Sequence, residues 1–92
     1  MIIGRFKVQC RPDQDAEVAA AIAAVVEPSR AIPGVVHFDV SRSLTEPNTF
    51  LAFEVFANRE AFERQNAQDV LAQFLNLIGN GGFEWRTWEI GD

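Results

Sequence analysis

Apolar and polar residues alternate along four segments of the chain, and this alternation predicts four strands. The segments are residues 2–10, 35–43, 49–56 and 83–90. Successive side chains of a strand point to opposite faces of a sheet, so period two is the spacing expected. The two faces of the first segment carry Ile2, Phe6, Val8 and Cys10 on one side and Ile3, Arg5, Lys7 and Gln9 on the other. The third segment is apolar on both faces, which predicts a strand covered on both sides.

A helical spacing of apolar residues fills the stretches between the strands. Residues 13–31 have a stripe at spacings of three and four, formed by Val18, Ile22, Val25 and Val26. Asp13 or Asp15 is a candidate cap. Pro28 removes a hydrogen bond inside this segment, so we expect a kink near residues 24–26 or an earlier helix end.

Two shorter helices are predicted over residues 59–66 and 69–78. Asn58 is placed to cap the first, and Gly79 to end the second. Residues 80–82, Asn-Gly-Gly, predict a flexible turn before the last strand.

The order of these elements, strand-helix-strand-strand-helix-strand, is that of the ferredoxin-like α+β fold. It predicts one domain over residues 1–92, with a four-stranded antiparallel sheet and the helices on one of its faces. In the second strand Val36, Phe38 and Val40 are expected on the face opposite His37 and Asp39. The sheet face without helices stays apolar in the third and fourth strands, which predicts a homodimer that covers it.

Composition restricts the chemistry. The 92 residues are 48% hydrophobic, with one Cys, one His, no Tyr and a net charge of −5. One Cys forms no internal disulfide, and one Cys with one His is too few for the usual four-ligand zinc site. The acidic balance argues against nucleic acid, and no apolar run approaches the roughly 20 residues of a membrane span. The leading residues lack a signal-peptide pattern, so we expect a cytoplasmic protein.

Three consecutive stretches resemble the antibiotic biosynthesis monooxygenase family. They are SRAIPGVVHFDVSRS at residues 29–43, EPNTFLAFEVF at 46–56 and NREAF at 58–62. The resemblance implies a dimeric α+β barrel with a pocket between the sheet and its helices. Members of this family include cofactor-independent oxygenases of quinols or fused-ring phenols, haem-degrading enzymes, isomerases and proteins without known activity.

Several positions depart from the family pattern. Phe38 and Phe53 stand where Tyr is common, and Phe56 stands where Trp is common. The family often has His near the positions of Gln65 and Val70, and the haem-degrading members need an axial His from that region. Haem degradation is therefore disfavoured, and no cofactor is expected.

His37 is the candidate general base, because imidazole is the side chain that titrates near neutral pH. Asn66, Gln65 or Arg86 is expected to stabilise negative charge on the substrate. An alternative for His37 is a hydrogen-bonded strand residue or a dimer contact. The predicted catalytic residues are thus His37, Asn66 and Arg86, and the predicted substrate-binding residues are Phe38, Glu54, Phe56, Phe62, Gln65 and Phe74.

Glu54 interrupts an apolar strand, so its carboxyl group is expected to be paired or to have a raised pKa. A structural ion pair with Arg5, Lys7 or Arg86 is the preferred interpretation.

Two functions are predicted for the chain as a whole. One is a cofactor-independent monooxygenase for an aromatic quinol or polyketide-like phenol, and the other is a non-catalytic small-molecule-binding or structural homodimer.

Overall fold

The computed structural model describes residues 1–78 and 83–90. A single turn of 3-10 helix, Pro12–Gln14, precedes the first long helix. The strands and helices are β1 (Ile2–Gln9), α1 (Asp15–Arg30), β2 (Val35–Arg42), β3 (Thr49–Phe56), α2 (Arg59–Asn66), α3 (Asp69–Ile78) and β4 (Phe83–Glu89). The predicted order of elements and the ferredoxin-like α+β class are confirmed. The predictions for Gly79 and for the turn at 80–82 lie outside the described residues.

The sheet has the strand order β2-β3-β1-β4, and each neighbouring pair is antiparallel. β1 is therefore central, with Phe6 opposite Ala52 of β3 and Trp85 of β4. The helices lie against one face, which we call the covered face. Its residues include Ile2, Gly4, Phe6, Val8, Phe38, Phe50, Ala52, Glu54, Phe56 and Trp85.

The core lies between the covered face and the helices. One cluster joins Val18 and Val25 of α1 to Val8, Phe50 and the Phe74 ring of α3. A smaller cluster at the other end of the sheet joins Ile2, Phe56 and Ala61. The stripe predicted for α1 is the face that packs on the sheet, since Val18 and Val25 are buried.

A register shift between Val35 and His37 corrects the predicted pattern of β2. Val35 packs against both clusters, whereas Val36, expected inside, is 61% exposed. The extra residue of a β-bulge displaces the alternation before it and leaves Phe38 and Val40 facing the helices as expected.

The first helix also differs from its prediction. α1 continues through Pro28 to Arg30, so Pro28 does not end it. Neither Asp13 nor Asp15 caps it, because Gln14 occupies the cap position without a side-chain hydrogen bond. Asp15 instead accepts two hydrogen bonds from Arg42 and one from Asn48, and these bonds lower the pKa of its carboxyl to about 2. The Asp15 side chain therefore joins the start of α1 to the end of β2.

Asn58 caps α2 as predicted, accepting a hydrogen bond of 2.9 Å from the backbone N–H of Ala61. Gly34 makes the close approach of α2 possible. Its φ is +92°, and an added Cβ would lie 2.8 Å from the Cβ of Ala61. Since other residues rarely adopt this backbone conformation, the turn before β2 requires glycine.

The opposite side of the sheet, the open face, carries no helix among the described residues. It includes Ile3, Arg5, Lys7, His37, Asp39, Phe53, Val55, Glu84, Arg86 and Trp88. Phe53 and Trp88 are 50% and 48% exposed, which is unusual for such large apolar side chains.

Candidate functional site

A cavity lies between the covered face and the helices. Its walls are mainly apolar and aromatic, and include Phe6, Phe38, Phe50, Leu71, Phe74 and Trp85. The polar residues that line it are Glu54, Gln65 and Asn66. Its volume is about 50 Å³, measured as the space open to the centre of a water molecule. That is room for about three or four waters.

Among the residues that the structure describes, Glu54 is the one ionisable side chain on the cavity wall. β3 places it on the covered face, between Phe38 of β2 and Gly4 of β1, and it is 2% exposed. Its Oε2 atom has no hydrogen-bond partner among the described residues. Burial raises the pKa of Glu54 from 4.5 to about 7. The carboxyl group is therefore part protonated and part ionised near neutral pH.

Gly4 of the central strand lies beside the Glu54 carboxyl group. A Cβ added at Gly4 would lie 3.4 Å from Glu54 Oε2 and 3.5 Å from the Trp85 ring. Both distances are ordinary van der Waals contacts, so an alanine at this position would pack against the carboxyl group and the Trp85 ring.

The preferred sequence-based interpretation of Glu54, an ion pair with Arg5, Lys7 or Arg86, is wrong. All three cations lie on the open face, and Lys7 pairs with Glu46 at 2.7 Å. The alternating pattern of β1 already placed Arg5 and Lys7 on the face of the sheet opposite to Phe6 and Val8. The sequence therefore contained the information that these two cations do not reach the covered face.

Gln65 forms the second polar group of the cavity wall. It lies on α2, is 1% exposed, and its Oε1 accepts a hydrogen bond of 2.7 Å from Nε2 of Gln68. Gln68, between α2 and α3, also donates to Ser29 Oγ of α1 at 3.1 Å. Ser29 in turn donates to the Val25 carbonyl oxygen at 2.6 Å. A polar chain thus runs from α1 to the cavity wall.

The structure separates the three predicted catalytic residues. Asn66 lines the cavity. His37 lies on the open face, with its ring centroid 5.5 Å from that of Phe53. Arg86 lies on the same face, in a shallow groove with Arg5, Lys7 and Glu84. The sheet itself separates His37 and Arg86 from the cavity of their own chain, so within one chain neither of these two candidate catalytic residues reaches it.

The predicted substrate-binding residues divide in a similar way. Phe38, Glu54, Gln65 and Phe74 line the cavity. Phe56 is fully buried in the smaller cluster, where it meets Phe62 edge to face at a centroid distance of 5.4 Å. These two rings support the wall rather than form it, since Phe62 also stacks on Trp85.

Sequence reasoning missed Ser29 and Gln68 as parts of the site. Ser29 continues the stripe of Val18, Ile22 and Val25 by one further turn, so a polar group on the buried side of α1 was a usable signal. Gln68 had no such signal, because it lies in the short connection between α2 and α3.

Neither a metal cluster nor a membrane-spanning helix is found in the part of the chain that the structure describes. Within it, His, Cys, Asp and Glu form no group of three or more that could hold a metal ion. In the same residues, no helix combines the length and apolar character needed to cross a membrane.

The fold and the cavity together define a small α+β domain with an aromatic-lined site that contains one carboxyl group. Such a site is suited to proton transfer with an apolar ligand. The sequence pattern of the family described as Antibiotic biosynthesis monooxygenase matches residues 1–77, and the chain belongs to this family.

Solved structures share this fold. A protein from Deinococcus radiodurans named for the same family has a crystal structure with a TM-score of 0.88 at 20% identity, covering 100% of this chain and 94% of that one. A protein from Nitrosomonas europaea named likewise has a TM-score of 0.85 at 15% identity, covering 97% of each chain. These likenesses show the fold.

A curated relative is an uncharacterised protein from Synechocystis sp., 38% identical over 63 residues. The match covers 68% of this chain and 42% of the relative, so the chain spans about two fifths of that protein's length.

Proposed function

We propose that this protein is a cofactor-independent monooxygenase that acts on an aromatic quinol or polyketide-like phenol in the cavity. The observation that carries the proposal is the buried carboxyl group of Glu54, whose Oε2 has no partner among the described residues, on a mainly apolar and aromatic wall. Family membership supports the type of reaction. The cytoplasm remains the expected location, because a single Cys requires no oxidising compartment.

Glu54 takes the role of general base that the sequence favoured for His37. Ionised Glu54 accepts a proton from the substrate, and the substrate anion passes one electron to dioxygen. The resulting radical and superoxide combine to form a C–O bond. Protonated Glu54 returns its proton to the peroxide. The remaining C–H proton is then lost as the O–O bond breaks, and it leaves with the released hydroxide as water. For an anthrone, a CH₂ group and O₂ become C=O and H₂O, so the substrate supplies all four electrons.

The chain's own residues account for the selectivity of these steps. The aromatic wall excludes water, which strengthens the effect of a single polar group and protects the anion. Asn66 and Gln65 are the amides placed to donate to a substrate oxygen. A base is most effective when its pKa lies near the working pH, as that of Glu54 does at about 7.

Oxygen uptake with a panel of anthrones and menadiol-type quinols tests this function. We expect a rate that rises with pH through about 7, as Glu54 ionises. Glu54→Gln should reduce the rate by about 10²–10⁴-fold, the usual contribution of a general base. Glu46→Gln is the matched control, since it changes the same functional groups on the open side of the molecule.

His37→Ala separates the two candidate bases. Full activity in Glu54→Gln together with loss of activity in His37→Ala would assign proton transfer to the open face and contradict the proposal. No uptake above the uncatalysed rate with any compound would contradict the oxygenase as a whole.

A non-catalytic binding or structural protein is the second candidate, and the small cavity favours it. A volume of about 50 Å³ does not admit a fused-ring phenol unless the wall moves. Titration of the protein with the same compounds, alongside oxygen uptake, distinguishes the candidates, because a binding protein binds them without oxidising them and a structural protein does neither.

Homodimer formation through the open face is part of either proposal. Phe53 and Trp88 supply exposed apolar area beside the charged groove of Arg5, Lys7 and Arg86. Sedimentation should give twice the mass of one chain at micromolar concentration, and Phe53→Glu should shift the protein towards single chains. A stable monomer before any substitution would contradict this part.

A further inference from the structure

The hydrogen-bond chain from α1 fixes the polarity of Gln65 at the cavity wall. An amide side chain presents either a donor or an acceptor, depending on which way its terminal group is turned. The orientation of the Gln65 amide is fixed by its hydrogen-bond partners, which connect it through Gln68 to Ser29.

Ser29 begins the chain as an acceptor. Its hydroxyl is committed as a donor to the Val25 carbonyl oxygen, only 2.6 Å away within the same helix. An oxygen that has given its single proton to one partner can only accept from another. The atom of Gln68 that lies 3.1 Å from Ser29 Oγ must therefore be a nitrogen.

The backbone carbonyl oxygen of Gln65 gives the same answer. It lies 3.4 Å from the same atom of Gln68 and can only accept. With the Gln68 amide turned the other way, its oxygen would face both the Gln65 carbonyl oxygen and Ser29 Oγ, and no proton would be available for either contact. Gln68 Nε2 thus faces three acceptors, and the last of them is Oε1 of Gln65 at 2.7 Å.

With its Oε1 held by Gln68, Gln65 has its Nε2 left over. No described residue accepts a hydrogen bond from this group. Gln65 is 1% exposed and lines the cavity, so the remaining partner for its N–H groups is whatever the cavity holds. Across the same cavity, Glu54 Oε2 is also without a partner.

We propose that Ser29 and Gln68 are positioning residues that hold Gln65 as a donor, so that the cavity selects ligands with a carbonyl oxygen. This inference rests on the proposed function only in taking the cavity as a ligand site. Together with ionised Glu54, it specifies an aromatic compound with one hydrogen-bond acceptor and one acidic proton on separate atoms. A hydrocarbon without a hydrogen-bond acceptor would leave the Gln65 amide unsatisfied.

The test compares two probes that differ in one group, α-tetralone and tetralin, by titration monitored by NMR in the absence of turnover. We expect the wild type to bind α-tetralone about three- to tenfold more tightly, the usual contribution of one hydrogen bond. The side-chain amide ¹⁵N–¹H signals of Gln65 should shift with α-tetralone and far less with tetralin.

Substitutions at Gln68 then reverse or preserve the polarity. Gln68→Glu has acceptors only, so Gln65 turns its nitrogen towards it and the preference for α-tetralone is lost. Gln68→Lys still donates to Gln65 and Ser29, and we expect it to keep the preference. Ser29→Ala and Gln68→Leu remove parts of the hydrogen-bond chain without adding charge. Both should lower the ratio of the affinities for α-tetralone and tetralin towards one.

The outcomes separate this inference from the function on which it rests. Binding of both probes with equal affinity to the wild type, or an undiminished preference in folded Gln68→Glu, overturns the role of the chain. Failure of both probes to bind overturns the cavity as a ligand site. Normal probe selectivity without oxygen uptake contradicts the oxygenase alone and leaves the inference supported. If Gln68→Glu does not fold, the Ser29→Ala and Gln68→Leu variants decide the question.

Discussion

The two faces of the sheet are built from the same alternating strands but place charge in opposite environments. The covered face holds one carboxyl group, Glu54, buried and unpaired. The open face holds Arg5, Lys7, Arg86, Glu84 and Asp39, all in reach of water or of each other. An unpaired charge buried on the covered face lowers the stability of the fold by several kcal/mol, whereas a charge exposed on the open face lowers it little. This difference is the basis on which we propose a chemical role for Glu54 and a role in association for the open face.

The largest expected difference between the faces concerns two phenylalanines of one strand. Phe56→Ala, at a fully buried position on the covered face, should lower the free energy of unfolding by about 3–5 kcal/mol. Phe53→Ala, three residues earlier and half-exposed, should change it by about 0.5 kcal/mol or less in a single chain. Urea denaturation at several protein concentrations measures both.

The concentration series also serves as the control for association. If Phe53 contributes to a dimer, its substitution changes the dependence of the midpoint on concentration rather than the stability of the single chain. Equal losses at Phe53 and Phe56 under all conditions would show that the open face is covered within one chain, contrary to this structure.

A second prediction concerns the pH dependence of stability at Glu54. Its pKa is about 7 in the folded protein and 4.5 without burial, so the folded state binds the proton more tightly. Stability should therefore fall as the pH rises from about 4.5 through 7. Glu54→Gln lacks this loss and should be more stable than the wild type by about 3 kcal/mol at pH 8.

The advantage of Glu54→Gln should disappear as the pH falls towards 4.5, where both side chains are neutral. Thermal or urea unfolding across this pH range measures it, with Glu46→Gln as the matched exposed control. A Glu54→Gln variant that is less stable than the wild type at pH 8 would mean that the ionised carboxylate has a partner.

The smallest predicted effect belongs to the ion pair of the open side. Lys7 and Glu46 are 2.7 Å apart, with their side chains 23% and 45% exposed. Lys7→Gln should therefore cost about 0.2–1 kcal/mol, and the loss should shrink in 1 M salt. A cost as large as that expected at Glu54 would remove the contrast between the two faces.

Much of the fold was accessible from the sequence because the apolar periods are regular. The bounds of β3, α2 and α3 and the cap at Asn58 follow from local signals. The register shift before His37 was not accessible, because a bulge adds a residue without a local breaker.

The candidate site was less predictable than the fold. The position of Glu54 on the covered face follows from its spacing to Phe50 and Phe56, but its lack of a partner depends on which residues the neighbouring strands bring beside it. The contact of Ser29 with Gln68 joins residues 39 positions apart, and no period in the sequence encodes it.

The central position of β1 also determines how the chain assembles. β1 precedes all other elements, yet it pairs with β3 and β4 on its two sides. Both partner strands are synthesised only after α1 and β2, and β4 also follows α3. Sheets that depend on such distant pairing fold slowly, on the millisecond to second scale. During synthesis β1 therefore has no partner strand, and its apolar side is exposed, until β3 is complete. We expect early aggregation and chaperone binding to begin at this strand.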